Sequence, residues 1–310
     1  MRSTDLPGDS VVGISSDAGA RRYLQALAPA LRIPTLNTSA IDLTGIRLLI
    51  TGSAIGPSAD ETARHAAKRA GIPCVSVIEH WTWFRRRFES DGVLQLPDWI
   101  LVNDAVAKQA ALAEGLPGER LIVLGNPILE SLLPLRAAAA QPEREHIEPL
   151  EVLFISEDMT GSGSRGVAAE LGYDEYSVLE SLLDVVGTLG HVTVKLHPAE
   201  VDSKFVSFAD RIEVLREANV VQLARTYDVI VGMDSMLLLE LAVLRRDVIS
   251  FRPTARFDFA MKELGAVITV SSLEELACAL RQSKFVPRGF ADGFLGSGVR
   301  IVNFLTKLAQ

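Results

Sequence analysis

Short β-branched apolar runs recur along the chain, interspersed with stretches of helical periodicity, and the pattern is gone through twice. In the first half the runs fall at 10–14, 46–51, 74–78, 99–102 and 121–124, with helical stretches at 18–30, 60–70 and 104–114. Gly71 and Gly115 each follow a helical stretch, as a C-terminal stop does. A second series opens with EVLFIS at Glu151 and continues with runs at 192–195, 229–232, 247–251 and 266–270. Its helical stretches lie at 173–189, 235–244 and 272–281. Strands that alternate with helices form parallel sheets covered on both faces, so the pattern predicts an α/β fold and excludes sandwiches and bundles. Residues 135–149, LRAAAAQPEREHIEP, break the rhythm with Ala, charge and Pro and no apolar face. They predict a linker over 136–150 between domains at 1–135 and 151–310, and 310 residues suffice for two cores.

Composition narrows the function classes. Hydrophobic residues make up 48% and charged residues 23%, which is globular rather than disordered. The net charge of −8 argues against a nucleic-acid partner, whose phosphates would be repelled. Cys74 and Cys278 lack metal-ligand spacing and sit in apolar context, which reads as two reduced core thiols. No run of about 18 apolar residues suggests a membrane span. The polar start MRSTDLPGDS has no signal-peptide core, so the expected compartment is the cytoplasm.

The chemistry-bearing residues gather where the runs stop. VTVKLHP ends at Lys195, His197 and Pro198; VIVGMDS ends at Asp234 and Ser235, which open the helical stretch MLLLELAVL. In open α/β sheets ligands gather at the carboxyl ends of strands, and a helix starting there offers free N–H groups to an anion. Alternation along the strand puts Lys195 and His197 on one side. Asp234 or Ser235 also suits a helix N-cap. Glu240 stands inside an otherwise apolar helix, where a carboxylate needs a partner, and is expected to point toward a polar cleft. The loop SEDMTGSGSRG, 156–166, carries three glycines, among them Gly161 and Gly163, and follows the strand EVLFI through Ser156. Such a loop lets backbone approach a ligand closely; it has neither Walker A nor dinucleotide-fingerprint spacing.

In the first half, GISSDAG at 13–19 closes a run and opens a helix, so Asp17 is either its N-cap or a general base. EHWTWFRRRF, 79–88, packs two Trp, two Phe, three Arg and one His into ten residues, behind Glu79 and His80. Such a cluster could stack on a sugar face, touch a membrane surface, or form an amphipathic core helix.

A Lys-x-His-Pro after a strand, followed by Asp-Ser and a later Glu at a helix start, resembles the C-terminal domain of two-domain nucleotide-sugar enzymes of the GT-B type. The group includes bacterial capsule and teichoic-acid polymer transferases, sialyltransferase-like enzymes and hydrolysing UDP-GlcNAc 2-epimerases. LGNP at 124–127 resembles the segment leading out of their first domain. DGFLGSGVRI, from Asp292, resembles their closing helix, which crosses back to that domain; a plain packing helix explains the same pattern. The resemblance implies two Rossmann-like domains facing a cleft. It implies a nucleotide sugar bound by Ser156, Gly161, Gly163, Lys195, His197, Asp234, Ser235 and Glu240, the last on the ribose. Asp17, Glu79 and His80 would then serve the acceptor, a glycan or a lipid-linked one, and peripheral contact with the inner membrane face fits that setting. Neither a metal nor a cofactor beyond the donor is expected, since no Asp-x-Asp ligand pair appears. Met236 and Leu237 stand where epimerases carry two glycines, and Leu241 where they carry a second Glu; this tilts the expectation from epimerase to glycosyltransferase. A non-catalytic binding protein on the same fold is the third alternative.

Overall fold

Two separate sheets, of five and six strands, are parallel throughout, and a two-stranded antiparallel ribbon stands apart from them. The computed structural model describes residues 10–27, 42–139, 149–161, 167–245, 247–254, 260–281 and 288–310. Two compact units emerge: one of residues 1–131 with 292–310, the other of residues 132–291.

The first unit holds β1 (Val11–Ile14), β2 (Leu48–Thr51), β3 (Cys74–Val77), β6 (Trp99–Val102) and β7 (Leu121–Val123), paired in that order. A two-stranded antiparallel hairpin, β4 (Glu89–Ser90) and β5 (Val93–Leu94), follows β3. Alternation along β2 explains why the strands read as unbroken apolar runs. Leu48 and Ile50 join the core formed with Tyr23 and Leu24 of α1 (Ala18–Ala26), while Leu49 joins Ala63 and Ala67 of α2 (Ala59–Ala70). α3 (Ala105–Ala113) and α4 (Pro127–Leu132) complete the helices of this stretch.

The second unit begins with the short helix α5 (Arg136–Ala139) and carries the six-stranded order β10-β9-β8-β11-β12-β13. These strands are β8 (Leu150–Ile155), β9 (Gly190–Lys195), β10 (Ile212–Leu215), β11 (Val229–Gly232), β12 (Val248–Phe251) and β13 (Ile268–Val270). Their helices are α6 (Val167–Leu171), α7 (Glu175–Val186), α8 (Val220–Thr226), α9 (Met236–Leu244), α10 (Ala260–Glu263) and α11 (Leu273–Arg281). α9 is apolar nearly throughout because β11, β12, α5 and α8 all pack on it.

Two boundaries differ from the sequence expectation. The division falls at residue 131, and α5 belongs to the second unit, where Arg136 Nε donates to Val243 O at 2.9 Å. The expected linker residues 140–148 lie outside the described residues. After the second unit the chain returns: α12 (Ser297–Leu308) packs Ile301 and Leu305 into the α1 side of the first core. Thus 292–310 leaves the domain expected to span 151–310. The polypeptide reads this way because Ile301, Leu305 and Ala309 form one apolar stripe at helical spacing. Cys74 is buried as expected, whereas Cys278 is exposed.

Candidate functional sites at the strand ends

In the second unit, β8 and β9 lie side by side with Ile155 opposite Lys195, so the loops leaving them emerge as neighbours. Ser156 is buried and its hydroxyl donates to Glu200 Oε1 at 2.7 Å. The His197 backbone N–H donates to the other oxygen of Glu200, also at 2.7 Å, and His197 Nδ1 accepts from the Ala199 N–H at 3.2 Å. His197 as a whole is an exposed residue, with its ring partly shielded. Partial loss of hydration holds it below the ordinary imidazole value, with Lys195 and Lys204 acting the same way against Glu200 and Asp158. Lys195 donates back to Leu196 O at 2.8 Å, and desolvation, with Arg216 nearby, lowers its ammonium.

Behind these loops Asp158, Glu175 and Glu200 bring carboxylate oxygens within 4.8 Å of one another, a spacing that could hold a metal ion. The chain supplies its own cation there. Lys204 Nζ bonds Glu175, lies 2.6 Å from Glu200 Oε1 and 3.7 Å from Asp158 Oδ1. Burial opposes its charge, but the hydrogen bonds to Glu175 and Glu200 outweigh that and hold it above the usual lysine value. Thr160 closes the group, its hydroxyl donating to Glu175 Oε1 at 2.5 Å. Gly161 lies against Asp158; a Cβ there would fall 2.1 Å from Asp158 Oδ1, so backbone approaches that carboxylate closely. Gly163 lies outside the described residues.

At the start of α9, Ser235 is the N-cap, its hydroxyl accepting from the Leu237 N–H. The N–H groups of the turn that leads into α9 already have a carboxyl partner. Glu157 Oε1 accepts from Met233 N at 3.2 Å, Asp234 N at 2.6 Å and Ser235 N at 2.8 Å. Asp234 pairs with Arg252 Nε at 3.0 Å and accepts from the Tyr173 hydroxyl at 3.2 Å; Arg252 Nε also reaches Tyr173 Oη at 2.9 Å. Burial raises both carboxyls. The charge of Asp234 raises Glu157 further, while Arg252 and Tyr173 restrain the rise at Asp234. Glu240, expected at a polar cleft, is 2% exposed within the buried stretch of α9.

In the first unit, Asp17 is the N-cap of α1, its Oδ1 accepting from Gly19 N at 2.7 Å and Ala20 N at 3.0 Å. Glu79, two residues past β3, lies against this helix end. A Cβ on Gly19 would fall 2.8 Å from Glu79 Oε1, so glycine is what admits the carboxyl. Glu79 is 5% exposed, and its Oε2 has no hydrogen-bond partner among the described residues. Burial pushes it up to about 7; Arg87 restrains the rise, and Asp17 and Asp60 add to it. His80 Nδ1 and the Thr82 hydroxyl are 2.8 Å apart. Asn126 and Asn103 hold this strand end in place, donating to Glu79 O and His80 O at 3.4 Å each.

The aromatic–arginine cluster is in large part built into the packing of the first unit. Its residues form turns rather than a helix, and Trp81, Phe84 and Phe88 are buried. Trp81 Nε1 donates to Asp104 Oδ2 at 2.9 Å, and Arg87 donates to Thr82 O and Ser53 O at 3.2 Å each. Trp83 and Arg86 are half-buried, with the guanidinium 5.2 Å over the ring. No described helix is long and apolar enough to cross a membrane.

Sequence reasoning missed Glu157, Tyr173, Glu200 and Lys204. Glu157 had a signal, being the only acid directly after Ser156 at a strand end; the others became visible only once α7 and the 197–204 turn were placed.

Two Rossmann-like domains in one chain define the GT-B class of fold. Over 96% of its length the chain superposes on the Methanocaldococcus jannaschii UDP-GlcNAc 2-epimerase in complex with UDP-GlcNAc and UDP, covering 99% of that chain with a TM-score of 0.63 and 15% identity. It is also similar to S. aureus MnaA bound to UDP, at 14% identity, 96% of each chain and a TM-score of 0.64. The Neisseria meningitidis UDP-GlcNAc 2-epimerase bound to UDP-GlcNAc gives 14% identity, 96% and 99% coverage and a TM-score of 0.58. At such identities the likeness is one of fold. No protein-family model and no curated protein matches the sequence.

Proposed function

We propose that the chain is an enzyme acting on a nucleotide-activated sugar, with glycosyl transfer to a glycan or lipid-linked acceptor in surface polysaccharide or glycoconjugate assembly as its chemistry. Glu79 carries this reading. A buried carboxyl raised to about 7, with one oxygen uncommitted among the described residues, suits proton transfer near neutral pH, where a carboxyl at its ordinary value would be a weak base. Its task is to take the proton of the acceptor hydroxyl as that oxygen attacks the anomeric carbon. The nucleotide end belongs to the second domain, and the diphosphate to the exposed His197 with Lys195, whose positive charge would stabilise the departing group. Ser156 drops out of the contact set because its hydroxyl is spent on Glu200, Glu240 because it lies in the middle of the packed α9, and Asp17 serves as a helix cap.

Hydrolytic 2-epimerisation is the second reading, favoured by the fold neighbours, which are UDP-GlcNAc 2-epimerases. Against it, Arg252 is engaged by Asp234 and Tyr173, and Glu157 fills the α9 end. The deciding experiment incubates the protein with a panel of nucleotide sugars, with and without glycan acceptors, and identifies products by NMR. Sugar on the acceptor, lost in Glu79→Gln, is expected. Free UDP and a 2-epimerised sugar formed without acceptor would select epimerisation, and binding without any turnover would leave a non-catalytic protein. His197→Ala should weaken UDP binding by about 1–3 kcal/mol, the scale of a hydrogen bond to a charged group.

A further inference from the structure

We propose that Glu200 is the positioning residue of the second domain's ligand loops, holding the loop after β8 and the loop after β9 in one fixed arrangement, with Lys204 as its counter-ion. The inference rests on the nucleotide-sugar reading, which makes His197 the diphosphate contact.

Glu200 is 5% exposed, and both of its carboxylate oxygens are in use. One accepts from the Ser156 hydroxyl at 2.7 Å and from Lys204 Nζ at 2.6 Å; the other accepts from the His197 backbone N–H at 2.7 Å. Ser156 is the first residue past β8, and His197 lies two residues past β9. A single side chain therefore ties together the exits of two neighbouring strands. It grips His197 by its main chain and not by its ring, which is oriented separately by the Ala199 N–H donating to Nδ1 at 3.2 Å. Its own backbone is fixed as well, since Glu200 O accepts from Arg216 Nη2 at 2.6 Å.

A carboxylate this enclosed is costly unless its charge is matched. Lys204 supplies the match from four residues further on, and is itself flanked by the rings of Tyr176 and Phe205, each 5.6 Å away. The same ammonium reaches Glu175 at the start of α7, so the bridge extends from the loops into a rigid element. Precise placement of a binding group by a locked second layer of side chains is what a phosphate contact needs. Glu200 touches no ligand in this scheme; it acts through His197.

The test uses the full-length protein, with UDP as the probe in titration calorimetry and the His197 ring followed by NMR through a pH titration. The charged groups around the ring are Glu200, Asp158, Lys195 and Lys204. Glu200→Gln keeps an acceptor for one of the two loops but removes the negative charge, so the His197 midpoint should move down. UDP affinity should fall several-fold in Glu200→Gln and at least tenfold in Glu200→Ala, while thermal melts show both variants folded. Glu200→Gln is the deciding variant where the alanine form does not fold. If wild type binds UDP, His197→Ala weakens it, and both Glu200 variants bind within twofold of wild type, the positioning role is overturned and the nucleotide reading survives. If no form binds any nucleotide, the nucleotide reading fails. The His197 titration then decides the positioning claim alone, an unchanged midpoint and amide resonance in Glu200→Gln overturning it.

Discussion

Glu79 is the residue at which burial, chemistry and stability meet. Its carboxyl is raised to about 7 in the fold, so ionising it costs more there than in the unfolded chain. The sign follows from linkage. Below the unfolded value near 4.5 there is no penalty; it grows as pH rises toward 7 and stays constant above that. Glu79→Gln removes this pH dependence. Between pH 5 and pH 8 the variant should therefore gain about 2–3 kcal/mol on the wild type in chemical denaturation. Parallel denaturation curves across that range would show that the carboxyl is not buried as described. Glu79 was legible in the sequence because it follows a strand end directly. Its use of Gly19 as an open berth was not, since Gly19 is 60 positions earlier and reads as part of a helix start. Asp17 was legible as one of two things, and the geometry uses it as a cap.

At the scale of elements, the strands were legible nearly to the residue because parallel strands buried on both faces leave continuous apolar runs. β10 escaped notice for the opposite reason: IEVL is an edge strand, half of it exposed, and it leaves only a short mixed pattern. α8 was missed between polar turns, its length being a mere seven residues. Helix starts offer free N–H groups, but a sequence does not reveal which acceptor reaches the turn that leads into them. At α9 it is Glu157, which comes from 78 positions before Ser235. Three donors on one oxygen make this a strong contact, yet a phosphate would want the same donors. Glu157→Ala should therefore bind UDP at least tenfold more tightly than wild type, and Glu157→Gln should fall between the two. Equal or weaker binding by the alanine variant, with the fold intact, would mean that the diphosphate never approaches this helix.

For the molecule as a whole, the two-domain plan was legible from the doubled pattern, whereas the return of the chain was open between two alternatives. α12 completes the first core with Ile301 and Leu305, both fully buried. Leu305→Ala should cost about 2–5 kcal/mol, the range for deleting a buried leucine side chain. That loss should appear in the unfolding of the first unit and leave the second unit's transition in place. Glu130 fixes the returning helix, accepting from Gly296 N at 2.6 Å and Gly298 N at 2.8 Å, and Arg300 donates to Leu124 O at 3.0 Å. This arrangement sets the order of events on the ribosome. Domains usually mature in the order in which they are synthesised, the N-terminal one first. Here the earlier-made sheet must wait, with the α1 side of its core uncovered, until the entire second domain has been translated and α12 has emerged. The nascent chain is thus expected to carry an exposed apolar surface for some 165 residues of synthesis, at the ~5–20 residues per second of translation, and limited proteolysis of stalled chains should find the later-made domain protease-resistant first.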